Sequence, residues 1–239
     1  MNVNLVSQYI EILNETHILI AGTTGSGKST LLNGLMHTLL ATHYPTMILI
    51  DLKRVELARY RDLKSICHEI KGLKSHRAFC TDSNEAIYWL KRICEHIDER
   101  YKRMEKAGIY QDLSQPIYII IDEFACLIED DKKRIIPLLI KIMRLGRACG
   151  VHLIACTQSP NRHVLPAEIV QNFTCRIGLR CSDAIESRQV IGQKGCELLP
   201  RYGSALIKTA DGIKPLEVVK VPDYDIDNLI NFRLSTDRG

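Results

Sequence analysis

Short apolar runs alternate with amphipathic stretches along most of this chain. His17–Ala21, Met47–Asp51, Ile117–Asp122, Val151–Cys156 and Cys175–Leu179 have strand length, with weaker candidates at Ala205–Lys208 and Glu217–Val221. Runs that are apolar nearly throughout suit strands covered on both faces. Helical patterns fall between them, which predicts a mostly parallel sheet with helices on both faces.

The longest helical pattern begins near Ser83. Ile87, Leu90, Cys94, Ile97, Tyr101 and Met104 recur every three or four residues, and Gly108 supplies a stop. Lys91, Arg92, Asp98, Glu99, Arg100, Lys102, Arg103, Glu105 and Lys106 fall on its other faces. They read as a solvated surface, with Asp98–Lys102 and Glu99–Arg103 in the favourable acid-before-base order. A second helix is predicted over Lys132–Cys149, ending at Gly150 and buried along Ile135, Leu138, Leu139, Ile142 and Leu145. Pro137 falls early enough to be tolerated. Lys141, Arg144 and Arg147 crowd the second half, where cations suit the helix dipole.

Composition adds little beyond solubility. The 239 residues are 46% hydrophobic and 25% charged, enough for one large α/β domain with its own core. No repeat, low-complexity segment or linker interrupts the chain. It reads as one domain over 1–239, with a lead-in at 1–15 and a tail at 223–239. A net charge of +4 permits nucleic-acid binding without demanding it. The nine cysteines form no Cys-x-x-Cys pair, and Cys67-His68 and Cys94-Glu95-His96 lack partners at zinc-like spacing. Several cysteines lie in apolar runs and read as small buried hydrophobes. The odd count with no framework points to a reducing, cytoplasmic setting. No run approaches the roughly 20 apolar residues of a membrane span, and the N-terminus lacks a signal-peptide pattern. Direct membrane insertion is not expected.

Chemistry enters at Gly22-Thr23-Thr24-Gly25-Ser26-Gly27-Lys28-Ser29, followed by Thr30. The segment fits the phosphate-cradling P-loop, G-x-x-x-x-G-K-[ST], between a predicted strand and a predicted helix. Its glycines let backbone N–H groups curl around phosphate oxygens, and the helix N-terminus adds partial positive charge. Lys28 is placed to reach the β- and γ-phosphates of ATP, and Ser29 to bind Mg²⁺. Ile117–Ile121 then ends in Asp122-Glu123, the Walker B pattern. Asp122 is a candidate Mg²⁺ ligand, and Glu123 a candidate group to orient or deprotonate water. Val151–Cys156 ends in Thr157-Gln158, at the sheet edge where open α/β folds bind ligands. Gln158 is a candidate γ-phosphate sensor; a solvated turn is the plainer alternative.

Several segments together resemble the motor domain of the FtsK/SpoIIIE family of DNA translocases. The strand and P-loop over His17–Ser29 resemble that family's closely. Asp51-Leu52-Lys53, then Glu56-Leu57, resembles its Asp-Pro-Lys…Glu-Leu stretch, with Leu52 in the proline position. Asp122-Glu123-Phe124-Ala125 is similar to its Walker B, and Arg147-Ala148-Cys149-Gly150-Val151-His152-Leu153 to its Arg-Ala-x-Gly-Ile-His-Leu run. Thr157-Gln158-Ser159-Pro160 resembles Thr-Gln-Arg-Pro. Ser187-Arg188, Gly195 and Leu198-Leu199 resemble a later segment in which Glu186 replaces aspartate. The resemblance covers about residues 15–222.

That resemblance implies a RecA-like P-loop NTPase that hydrolyses ATP with Mg²⁺ and forms a ring, usually hexameric, around duplex DNA. It also implies an arginine supplied to the neighbouring subunit's site, for which Arg147 and Arg188 are both candidates. Lys53-Arg54 and Asn161–Pro166 are candidate DNA-facing loops, with solvated loops as the alternative reading. The short lead-in and the lack of membrane segments suggest a pared-down motor from a phage, mobile element or conjugation system, or a truncated form. Such a motor would rely on a separate anchor or DNA-loading partner. A protein-secretion motor and a regulatory ATP-binding module remain open alternatives.

Overall fold

Six of the seven runs singled out above become strands within a residue of their predicted ends, and helices fall between them. The computed structural model describes residues 3–42, 45–63, 78–158, 160 and 165–236. Its elements in chain order are α1 (Val3–Leu13), β1 (His17–Ala21), α2 (Lys28–Thr42), β2 (Thr46–Ile50), β3 (Phe79–Cys80), α3 (Ser83–Ala107), β4 (Ile117–Ile121), α4 (Phe124–Asp130), α5 (Lys132–Leu145), β5 (Val151–Thr157), α6 (Ala167–Val170), β6 (Cys175–Gly178), α7 (Ala184–Ile191), β7 (Ser204–Thr209), β8 (Gly212–Glu217) and α8 (Asp223–Thr236). The strands are ordered β3-β2-β4-β5-β1-β6-β7-β8 in one mixed, mostly parallel sheet. Every residue of β1, β2 and β4 is buried, as expected of strands covered on both faces.

By compactness the chain divides into two units, Met1–Tyr44 with Ala155–Gly239, and Pro45–Ile154. In the first, β1 pairs in parallel with β6, Ile18 opposite Cys175 and Ala21 opposite Gly178. β7 and β8 extend that edge antiparallel, joined by a two-residue turn between Thr209 and Gly212. The strand expected at Glu217–Val221 instead occupies Gly212–Glu217. Pro215 lies inside it, which an edge strand tolerates because the missing N–H is not needed by a further neighbour.

The first and last helices, α1 and α8, both pack within this unit. Tyr9 of α1 is buried against Gly34 of α2, and its hydroxyl donates to the Val219 carbonyl at 3.0 Å. A Cβ at Gly34 would lie 2.5 Å from Tyr9 Cε2, so the close approach requires glycine. Ile226, Ile230 and Arg233 form the buried stripe of α8, and the Arg233 guanidinium donates to the Leu40 carbonyl at the end of α2.

In the second unit, β2 pairs in parallel with both β3 and β4, Ile50 opposite Cys80 and Ile121 respectively. α3 begins where Asp82 accepts from the N–H groups of Asn84 and Glu85, and ends at Gly108 with φ 66°. α5 stops at Leu145, and Gly146–Cys149 tightens into a 3₁₀ turn closed by left-handed Gly150. The single helix predicted to Cys149 therefore changes form in its last turn. Leu138 and Leu145 are half-buried, while Ile136 and Met143 join the buried stripe.

Arg100 corrects the solvated-face expectation. It is 2% exposed, and its guanidinium donates to the carbonyls of Cys149, Gln115 (2.7 Å) and Asp112 (3.4 Å). One charged fork thus ties the end of α3 to the segment entering β4 and to the turn before β5. The surface pairs also differ from the expected ones: Asp98 meets Lys141 at 2.7 Å, and Arg103 approaches Asp112 at 3.8 Å.

Candidate functional site

The first set of site residues lies in the unit containing the P-loop. β1 ends at Ala21, and after six intervening residues α2 begins at Lys28. The turn between them depends on Gly25 and Gly27, with φ 74° and 103°, values that strain any residue with a Cβ. Gly22 is required for a different reason: a Cβ there would meet Ser26 Oγ at 2.7 Å and Leu179 Cβ at 2.9 Å. The loop is anchored on neighbouring strand ends. Gly22 N–H donates to Thr157 O at 3.3 Å, and Thr23 donates to Arg180 O through both its N–H (2.9 Å) and its hydroxyl (3.1 Å).

Lys28 donates from Nζ to the carbonyls of Gly22 (2.7 Å) and Thr23 (3.0 Å), bracing the curl from inside. Thr24 and Gly25 form an exposed crown, whereas Lys28, Ser29 and Thr30 are half-buried in the first turn of α2. The loop's amides and the N-terminal end of a fifteen-residue helix are groups that favour an anion.

Gln158, predicted as a sensor, reaches this loop. Thr24 Oγ1 donates to Gln158 Oε1 at 2.8 Å, which ties the crown to the end of β5. Arg201 was not anticipated. Its guanidinium lies 3.4 Å from where a Gly25 Cβ would stand, and also sits over the Tyr202 ring, 5.3 Å from its centroid. Nothing in the sequence signals that approach, because it brings together residues far apart in the chain. Arg188 is exposed on α7.

The second set lies in the other unit, at the carboxyl ends of β2 and β4. Asp122 follows β4 directly and donates its N–H to Ile50 O at 3.1 Å. Glu123 begins α4 and is only 5% exposed. Its Oε2 accepts from Lys53 Nζ at 3.1 Å, an ion pair the sequence reading missed. Lys53 is held by the turn after β2. The fully buried Asp51 accepts from Leu57 N–H at 3.0 Å, and Arg54 adopts φ 59°. Burial alone would lower the Lys53 pKa, but the hydrogen bond and charge of Glu123 outweigh it and keep the ammonium protonated.

Asp122 is pushed up to about 6, first by burial and then by the charges of Asp51, Glu56 and Glu123. Asp51 Oδ1 is buried with no hydrogen-bond partner among the described residues. Crowded carboxylates with an unmet oxygen suit a hard divalent cation such as Mg²⁺. No three or more His, Cys, Asp or Glu side chains surround a single metal position among the described residues. Arg147 is exposed in the 3₁₀ turn after α5.

The other sequence candidates are quickly placed. Cys80, Cys94, Cys149, Cys156, Cys175, Cys181 and Cys196 are buried, and Cys126 is half-buried. Burial pushes the Cys94 thiol to about 11 and that of Cys175 to about 12, which makes both inert hydrophobes. Cys67, His68, Ser159 and the Asn161–Val164 part of the candidate DNA loop lie outside the described residues. Among the described residues no helix is long and apolar enough to cross a membrane.

A model of the FtsK/SpoIIIE family matches residues 1–202. DNA translocases named FtsK are among the similar curated proteins. That of Chlorobaculum tepidum is 30% identical over 216 residues, covering 84% of this chain and 27% of its own length. That of Borreliella burgdorferi is 31% identical over 205 residues, covering 82% and 26%. That of Streptococcus pneumoniae is 26% identical over 254 residues, covering 96% and 32%. The chain thus spans about a quarter to a third of these relatives.

Among solved structures, the pCW3 conjugation coupling protein TcpA with ATPγS superimposes with a TM-score of 0.75 at 23% identity, over 92% of this chain and 65% of that one. The cytoplasmic domain of the Thermomonospora curvata type VII secretion ATPase EccC gives 0.70 at 24% identity, over 91% and 28%. The genome packaging NTPase B204 of Sulfolobus turreted icosahedral virus 2 gives 0.59 at 18%, over 86% and 98%. These likenesses establish the RecA-like P-loop NTPase fold.

Proposed function

The chain belongs to the FtsK/SpoIIIE family, and on that premise we propose that it is the motor of an ATP-driven DNA translocase. The observation that carries the nucleotide part is the loop curled by Gly25 and Gly27, with Lys28 turned into it at the start of α2. The amides of Gly22–Thr30 hold the phosphates and Lys28 neutralises their charge. Ser29 and, in the other unit, Asp122 are each candidate ligands of Mg²⁺, which would neutralise further charge on the phosphate oxygens. Glu123 takes a proton from water as the water oxygen attacks the γ-phosphorus. The bond to the β-phosphate oxygen breaks, and ADP and inorganic phosphate leave. Gln158, through its tie to Thr24, reports the γ-phosphate to the end of β5. Arg147 or Arg188 completes a neighbouring subunit's site, with stabilisation of the transferring group worth ~10³-fold or more.

The whole chain acts as one motor domain, in a ring, hexameric as the family resemblance implies, with duplex DNA in its centre. The choice of DNA over polypeptide as cargo is supported by the curated relatives, which are named DNA translocases and reach 31% identity. The likeness to a secretion ATPase, at 24%, is one of fold.

The test is steady-state ATP hydrolysis with and without duplex DNA across a salt series, for the parent and Glu123→Gln. Salt-sensitive stimulation in the parent is expected, with hydrolysis lost and nucleotide binding kept in Glu123→Gln. Equal hydrolysis with and without DNA at every salt concentration removes DNA from the account.

A further inference from the structure

The Lys53–Glu123 pair sits where hydrolysis would be controlled. One partner, Glu123, is buried beside the end of β4, and the other, Lys53, is 43% exposed. A general base must offer an oxygen lone pair to water. Here Oε2 already accepts from an ammonium group at 3.1 Å. Lys53 is not a loose surface side chain, because Asp51 clasps the turn from one end and Arg54 holds a left-handed backbone beside it. That turn presents Lys53, Arg54 and Val55 to solvent together. Lys53 is the solvent-facing partner of the pair, so a second anion that competes for its ammonium leaves Glu123 a buried, unpaired carboxylate. The anion that suits two adjacent exposed cations is a nucleic-acid phosphate backbone.

We propose that Lys53 is a positioning residue that restrains Glu123, and that duplex DNA releases the restraint by drawing Lys53 onto its phosphates. This rests on reading the chain as a DNA-driven ATPase with Glu123 as its base. The restraint couples two equilibria, so it acts in both directions. DNA binding frees Glu123 for water, and loss of the Glu123 charge frees Lys53 for DNA. Couplings of this type amount to about 5–150-fold.

Two measurements on the full chain test it. The first is hydrolysis without DNA. Lys53→Met is expected to run about 5-fold or more faster than the parent, with DNA stimulation shrinking towards unity. Lys53→Arg keeps the charge and is expected to remain slow and stimulable. The second is binding of a fluorescent duplex without nucleotide. Glu123→Gln is expected to bind about 5-fold tighter than the parent, and Lys53→Met weaker with a salt slope smaller by about one.

Lys53→Met hydrolysing no faster than the parent without DNA overturns the restraint, as does Glu123→Gln binding no tighter. A lysine needed only for folding would lower hydrolysis under all conditions and leave duplex affinity of Glu123→Gln unchanged. The DNA reading fails separately, if the parent neither binds duplex nor is stimulated by it. In that case the rate of Lys53→Met without DNA still decides whether Lys53 restrains Glu123.

Discussion

Thr24 Oγ1 donates to Gln158 Oε1 at 2.8 Å, joining the exposed crown of the P-loop to the residue that follows β5. The bond makes Gln158 part of the loop's own hydrogen-bond system. It places the phosphate-holding crown in direct contact with the residue that follows β5. Gln158→Ala should lower kcat by roughly 10²-fold, the usual cost of losing one polar group aimed at the transferring phosphate. Its KM for ATP should stay within a few-fold, because Lys28 and the loop amides remain. Thr24→Val, which removes only the tie, should cost less than Gln158→Ala. Steady-state kinetics on the two variants checks the order.

Gly34 offers a test of the helical lead-in. Gly34→Ala forces a Cβ against the Tyr9 ring and should destabilise by about 1–3 kcal/mol. For a chain of this size that is about 2–4 °C of melting temperature per kcal/mol. Combining it with Tyr9→Leu should cost less than the two single changes added together, because the clash disappears. Thermal melts of the three variants measure this.

Arg100 is a buried cation, 2% exposed, in the unit that carries Asp122. Arg100→Met leaves three backbone carbonyls without their donor and should cost about 3 kcal/mol or more in urea denaturation. Arg100→Lys keeps the charge but not the planar fork, and should recover only part of the loss.

His96 gives the stability a defined pH dependence. Its pKa is lowered to about 4 by burial and then by the charges of Arg100 and Arg103. Between its ordinary value near 6.5 and about 4, the unfolded chain binds a proton that the folded chain refuses. The contribution is complete above pH 6.5 and is lost progressively as pH falls towards 4. Urea denaturation at several pH values should show a shallower acid slope in His96→Gln than in the parent. Identical slopes would remove His96 from the acid response.

The sequence was most legible where one physical rule acted alone. β1, β2 and β4 are apolar throughout because both faces are covered, and α3 keeps its buried stripe from Ile87 to Met104 between two capping residues. β3 has only two residues, too few to show a period. β8 contains Pro215, which argues against a strand unless the edge position is known. Arg100 follows the helical period, but its charge hides its burial until the carbonyls it serves are in place. The P-loop and the Asp122-Glu123 pair were legible as local motifs. Lys53–Glu123, 70 residues apart, and Arg201 beside Gly25 arise from the path of the chain, which no local pattern encodes.

Movement along DNA is the central claim, and displacement of a triplex-forming oligonucleotide from a duplex measures it most directly. The parent with ATP and Mg²⁺ should strip the oligonucleotide, while Glu123→Gln and Lys28→Ala should leave it bound. Vigorous DNA-stimulated hydrolysis by the parent with the triplex left intact, at protein concentrations that saturate the duplex, would contradict the account.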